Sequence, residues 1–337
     1  MSSHMNKIFL CLLVVTTLLL AACNGQTKSG SSKADTIALA VCPRFNADNA
    51  MRFIKEQCEF GPRVTGSEAS RLCGDYLIER FKSFGAEVEE QPGTVTTWEG
   101  KQLSARNIIA HVNPANTDRI LLCSHWDSRP WADNDPDSAN WHKPVMAAND
   151  GASGVAVMLE LARLIQQHDS LNVAVDFVCF DAEDWGIPQW DENGNGADSW
   201  ALGAQHWAKM FKAQSSASNY QYAILLDMVG GQGAKFYQEG YSLQKAKGVV
   251  EKVWQSAASA GYGSFFPKQE GGMVTDDHVP VNDIAQIPCI DIINYYPDCQ
   301  QSSFGPTWHT IHDNMQHIDK NTLQAVGQTL VQLLFSE

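Results

Sequence analysis

Val173-Ala174-Val175-Asp176-Phe177-Val178-Cys179-Phe180 runs straight into Asp181-Ala182-Glu183-Asp184, and the fold follows from this stretch. A short, nearly unbroken apolar run rich in β-branched and aromatic residues reads as a strand buried on both faces, the kind found in parallel sheets. The carboxyl ends of such strands open into ligand crevices. Three carboxylates therefore sit where chemistry is done in an α/β protein.

Three more segments repeat the design. Ile120–Ser124 ends at His125-Trp126-Asp127, Tyr222–Leu226 ends at Asp227, and the Ala148-Asn149-Asp150-Gly151 loop opens a helix carrying Val155, Leu159, Leu161, Leu164 and Ile165 at helical spacing. Further strands are expected near Ile108–Val112 and Ile287–Ile293. Further helices are expected near Leu243–Ala260 and Asn321–Phe335, and Thr65-Gly66-Ser67-Glu68 has the spacing of a capping box ahead of a helix that stops at Gly85. Helices alternating with apolar runs predict a mixed, mostly parallel sheet covered on both faces, a three-layer α/β/α sandwich.

Asp, Glu and His gathered at strand ends are the donors of an oxygen- and nitrogen-ligated zinc, and a neighbouring carboxylate left off the metal can serve as a base. Each acid taken alone reads equally well as a solvated loop residue. Their joint recurrence at strand ends favours a site. Asp181 reads as a structural acid, and Trp126–Asn149, a long polar stretch with Trp131 and Trp141, reads as the rim of a pocket.

From about Asn46 to Glu337 the chain resembles the zinc-dependent M28-type exopeptidases, and within them the glutaminyl cyclases of animal and bacterial type. The M28 pattern is carried by His125-Trp126-Asp127, Asp150, Glu183-Asp184, Asp227 and His309. The cyclase pattern is carried by Gly271-Gly272-Met273-Val274-Thr275-Asp276-Asp277-His278-Val279-Pro280 and Phe304-Gly305-Pro306-Thr307-Trp308-His309-Thr310.

The resemblance implies the same α/β/α sandwich and cyclisation of the N-terminal glutamine of peptides and proteins to pyroglutamate, with release of ammonia. It implies one zinc per chain on Asp150, Asp184 and His309, with Glu183 as proton shuttle and Asp227 and Asp276 as a hydrogen-bonded acid pair. It also implies a substrate pocket walled by Phe304, Trp308 and a tryptophan from the segment after the acidic pair, where Trp200 is preferred to Trp185 or Trp190. Asp184 stands where animal cyclases carry Glu. In the alternative, a di-zinc aminopeptidase, Asp150 bridges two ions, Asp184 and His309 hold one, and His125 and Asp227 hold the other. A noncatalytic binding lipoprotein is the third reading, and the full donor set counts against it.

Composition bounds the rest. Discounting the termini leaves roughly 290 residues, normal for one α/β catalytic domain, placed at 46–337. A net charge of -14 counts against nucleic acid and anionic membrane as partners. Peptide substrates and a monomeric chain are expected. Met1-Ser2-Ser3-His4 reads as a vector remnant, and Lys7 followed by apolar Ile8–Leu20 reads as a signal peptide, so that residues 1–22 are removed. Leu20-Ala21-Ala22-Cys23 resembles a bacterial lipobox, which would make Cys23 the lipidated first residue, Asn24–Asp35 part of a flexible tether over 23–45, and the periplasmic face of the outer membrane the location. The lipid would be the only membrane attachment.

Seven cysteines remain in the mature chain, an odd number that cannot pair fully. Cys58 and Cys73, flanking a turn-rich segment, are the expected disulfide in an oxidising compartment. Asp191-Glu192-Asn193-Gly194-Asn195-Gly196-Ala197-Asp198 fits the opening of a calcium loop, although Leu202 stands where its closing Glu belongs. A glycine-rich surface turn is the competing reading there.

Overall fold

The apolar run that ends at Phe180 is a core strand. Every residue of Ala174–Phe180 (β4) is buried. The computed structural model describes residues 42–337 apart from 114, 169–170, 192–195, 197 and 215–218. The signal segment, Cys23 and the Asn24–Asp35 tether lie outside the described residues, as does most of the Asp191–Asp198 loop.

Five further strands join β4 in one sheet: β1 (Glu87–Thr96), β2 (Gln102–Val112), β3 (Arg119–His125), β5 (Tyr220–Asp227) and β6 (Cys289–Ile293). Their order is β1-β2-β4-β3-β5-β6. β3 runs parallel to both β4 and β5, and β6 parallel to β5, whereas β2 and β1 are antiparallel additions. The sheet is mixed and mostly parallel, as expected. In register, His125 pairs with Phe180, Cys123 with Leu225, and Asp227 with Ile293. Neighbouring carboxyl ends thus finish side by side, which brings residues far apart in sequence to one edge.

Alternate strand residues pack on opposite faces. Ile120, Leu122, Val175, Phe177, Ile224 and Leu226 join α1 (Ala47–Cys58), α2 (Glu68–Ser83), α3 (Ala152–Gln166), α5 (Gly240–Ser259) and α7 (Lys320–Leu334) in one core. Leu121, Cys123, Val178, Phe180, Ala223 and Leu225 pack on the other face with α4 (Leu202–Ala213) and α6 (His278–Asp283). The sandwich is the expected three-layer one.

Two local expectations are corrected. The helix cap is Ser67, whose hydroxyl accepts the Ser70 N–H, so the capping box built on Thr65 is out by two residues. Thr65 instead donates its hydroxyl to Asp181 at 2.7 Å. Cys58 and Cys73 are free thiols, as are the other described cysteines; Cys73 is sealed in the α2 core face, where burial pushes its thiol up to about 12 and keeps it inert. β1 carries no core pattern in the sequence, because its Glu-rich residues are mostly exposed.

Candidate active site

The site is built at the carboxyl edge of β3, β4 and β5. His125 is the last residue of β3 and Asp227 the last of β5. After β4 the chain turns through Ala182 in the left-handed region, φ 55°, and Met228 and His309 adopt similar conformations at 47° and 53°. Such backbone is costly for residues with a Cβ and is held only where surrounding bonds enforce it. Here they do. Asp127 accepts the N–H of Glu183 at 3.1 Å and that of Asp184 at 3.2 Å, while Asp181 accepts Thr65, the Arg106 N–H at 2.8 Å and the Ala182 N–H. Asp181 is therefore the structural acid its position suggested.

Asp150 is fixed from two sides. Its N–H and that of Asn149 donate to the carboxylate of buried Asp313, at 2.9 and 2.8 Å. Gly151 follows with φ 102°, where an added Cβ would meet the Asp127 carbonyl at 2.7 Å. Only glycine permits that approach.

Asp150, Asp184 and His309, all buried, offer donor atoms within 4.8 Å of one another. His309 Nε2 stands 3.1 Å from Asp184 Oδ1 and 3.5 Å from Asp150 Oδ2. Neither Asp184 oxygen accepts a hydrogen bond of normal geometry, despite full burial. Buried carboxylate oxygens without such a partner cost several kcal/mol unless a proton or cation completes them. Two carboxylates and an imidazole with these orphaned atoms fit zinc. Burial would raise Asp184, but His309 and then Arg129 outweigh it and hold it below its ordinary value.

The residues of the alternative are gathered as well. His125 Nε2 lies 3.0 Å from Asp150 and 3.1 Å from Asp227, and the three also fall within 4.8 Å of one another. Beside them, Glu183 is pushed well above its ordinary value, by burial first and then by Asp276. Asp276 is raised to about 7, by burial first and then by Asp227. A second acid nearby favours retention of a proton by a buried carboxyl. Asp277 is fully buried, with both oxygens unpartnered. Asp291, which no motif singles out, completes a third buried group with Asp276 and His278.

Asp150, Glu183, Asp184, Asp227, Asp276 and His309 line a cavity of about 220 Å³ together with Trp200, Met228, Met273, Val274, Thr275, Ile293, Phe304 and Trp308. Trp200 and Trp308 each stack on the His309 ring, at 6.0 and 3.8 Å between centroids, and Phe304 lies 4.9 Å from Trp308. Of the three candidate tryptophans, Trp200 is the one on the wall. Trp185 and Trp190 pack against Trp131, and Trp141 stacks on Trp190. Trp131 and Trp141 therefore pack in a tryptophan cluster and do not line the cavity.

The model of peptidase family M28 matches residues 107–334. Among solved structures, a glutaminyl cyclase of Bacteroides thetaiotaomicron bound to N-acetylhistamine is 46% identical, superposes with a TM-score of 0.84, and is covered over 99% of its chain and 88% of this one. A leucine aminopeptidase precursor from the same species is 45% identical at a TM-score of 0.83, with 99% and 88% covered. Aminopeptidase YwaD of Bacillus subtilis is 27% identical over 240 residues, 69% of this chain, and the match spans only 44% of that longer protein. With the fold, the strand-end acids and a buried group able to hold a metal all in place, the chain belongs to peptidase family M28.

Proposed function

We propose that the protein is a zinc-dependent glutaminyl-peptide cyclotransferase, converting N-terminal glutamine of peptides and proteins to pyroglutamate with release of ammonia. The observation that carries this reading is the placement of Glu183. It is buried, prone to hold a proton, and shares one small aromatic-walled cavity with Asp150, Asp184 and His309. Those three residues would hold a zinc ion, which would supply Lewis acidity to the γ-carboxamide.

Glu183 takes a proton from the substrate's α-amine as its nitrogen bonds to the side-chain carbonyl carbon, and returns one to the departing nitrogen as the old carbon–nitrogen bond breaks. A base that must also act as an acid benefits from a raised pKa. Ring closure within one residue brings the proximity advantage of an intramolecular step. Trp200, Phe304 and Trp308 hold the glutaminyl chain and keep bulk water from the acyl carbon. Asp276, raised to about 7 by burial and then by the neighbouring Asp227, adds a further acid beside Asp227, and this crowding supports one zinc per chain. Ammonia release and a matching mass loss on a Gln-initiated peptide test the reading, beside amino-acid release from a Leu-initiated one.

The arrangement of His125, Asp150 and Asp227 favours a second reading, a di-zinc aminopeptidase, in which Glu183 activates water. Two equivalents of zinc and release of leucine would select it. For location, the lipobox-like Leu20–Cys23 supports a lipid-anchored envelope protein on the periplasmic face of the outer membrane, tested by fatty-acid labelling that a Cys23→Ser variant abolishes. Calcium at Asp191–Asp198 rests on spacing alone and is tested by calorimetric titration.

A further inference from the structure

We infer that the buried ion pair Arg129–Asp133 is a positioning device for His309, fixing which ring nitrogen faces the metal and thereby setting metal affinity. Both side chains are sealed, at 1% and 2% exposure. Arg129 grips Asp133 as a fork, Nε to Oδ1 at 2.8 Å and Nη2 to Oδ2 at 2.6 Å. Its remaining N–H groups donate to the carbonyls of Asp184 at 3.1 Å, Gly186 at 3.3 Å and Ile187 at 3.4 Å, and its guanidinium lies 4.7 Å from the Trp200 ring. One cation thus ties down the ligand segment and a pocket wall together.

Asp133 Oδ1 also faces Nδ1 of His309 at 3.5 Å. That is long and off-line for a hydrogen bond, and Nδ1 has no better partner. The same loop clamps the His309 backbone, with the Asn134 N–H donating to the His309 carbonyl at 3.0 Å and the Asn134 side chain to the Trp308 carbonyl at 3.1 Å. A carboxylate held in place by an arginine fork is the nearest acceptor for a proton on Nδ1, and a proton there leaves the lone pair on Nε2, the atom beside Asp184 and Asp150.

This inference rests on the metal centre proposed above, and the two fail separately. If His309→Ala keeps native zinc affinity, the centre is misplaced. If it does not, the clamp is tested by Asp133→Asn and by the double variant Arg129→Met/Asp133→Leu, which removes both charges and spares the fold an unpaired one. Zinc dissociation constants come from competition with a chromophoric chelator, and melting of the metal-free proteins reports folding. Zinc should bind ~10–100-fold more weakly in each folded variant, the usual cost of losing such a partner. The native zinc-loaded protein, labelled at histidine, should show His309 protonated at Nδ1 in long-range ¹H–¹⁵N spectra, a reading that needs no variant to fold. Unchanged zinc affinity in a folded variant, or a proton found on Nε2, overturns the inference.

Discussion

Oδ1 of Asp127 accepts the backbone N–H of Glu183 at 3.1 Å, and Oδ2 takes that of Asp184 at 3.2 Å, so both acids hang by their main chain from one carboxylate. Their side chains are left free for chemistry. Glu183→Gln should therefore change a proton and little else, since size, backbone anchor and the proposed ligands persist. Turnover on a Gln-initiated peptide should fall ~10²–10⁴-fold, the usual contribution of a general acid–base group. Metal analysis should find zinc retained. Near-normal cyclisation by this variant would assign the proton to another group.

About one zinc per chain should survive exhaustive dialysis, and His309→Ala should lose metal and cyclisation together, whereas His125→Ala should lose less metal. Elemental analysis of the three proteins decides between the one-metal and two-metal readings. Equal zinc loss from both histidine variants would favour the latter.

The strand-end acids were legible because parallel-sheet physics forces buried apolar runs to end at a crevice, and β3, β4 and β5 are such runs. What stayed hidden depends on contacts between distant residues. Arg129 and Asp133 sit in a polar loop with no periodicity, and nothing in their spacing announces that they meet Asp184 and His309. Asp313 and Asp291 look like ordinary acids until the fold seals them. Motif resemblance, and not periodicity, singled out Phe304, Trp308 and Trp200.

Asp276 carries a pH signature. Its ordinary value is 3.8 and the fold raises it to about 7. Between those values the native state holds a proton that the unfolded chain has released, so this group's stabilisation is present at low pH and is lost as pH rises through the window. Asparagine has no such proton to lose. In urea unfolding of the metal-free proteins, Asp276→Asn should gain stability relative to the native chain as pH crosses the window upward. A difference that stays flat would show that Asp276 is not the group being titrated.

Two glycines should respond oppositely to alanine. Gly203, at the start of α4, packs under the turn that carries the acidic pair: an added Cβ would meet the Asp181 carbonyl oxygen at 2.0 Å and Asn107 Oδ1 at 2.7 Å. Neither atom can yield freely, because Asp181 is tied to Thr65, Arg106 and Ala182, and Asn107 Oδ1 accepts the Asp181 N–H. Gly203→Ala should cost about 1–3 kcal/mol or more, as overpacking does. Because the strain enters at Asp181, two residues from Glu183, cyclisation should fall further than the loss of folded protein explains. Gly248 lies exposed within α5, where an added Cβ meets nothing within 4 Å. Gly248→Ala should stabilise by roughly 0.4–1 kcal/mol by restricting the unfolded chain, with activity unchanged. Thermal melts paired with cyclisation rates check both, and a Gly203→Ala protein with native stability and rate would mean that the α4 start can move away from the catalytic turn.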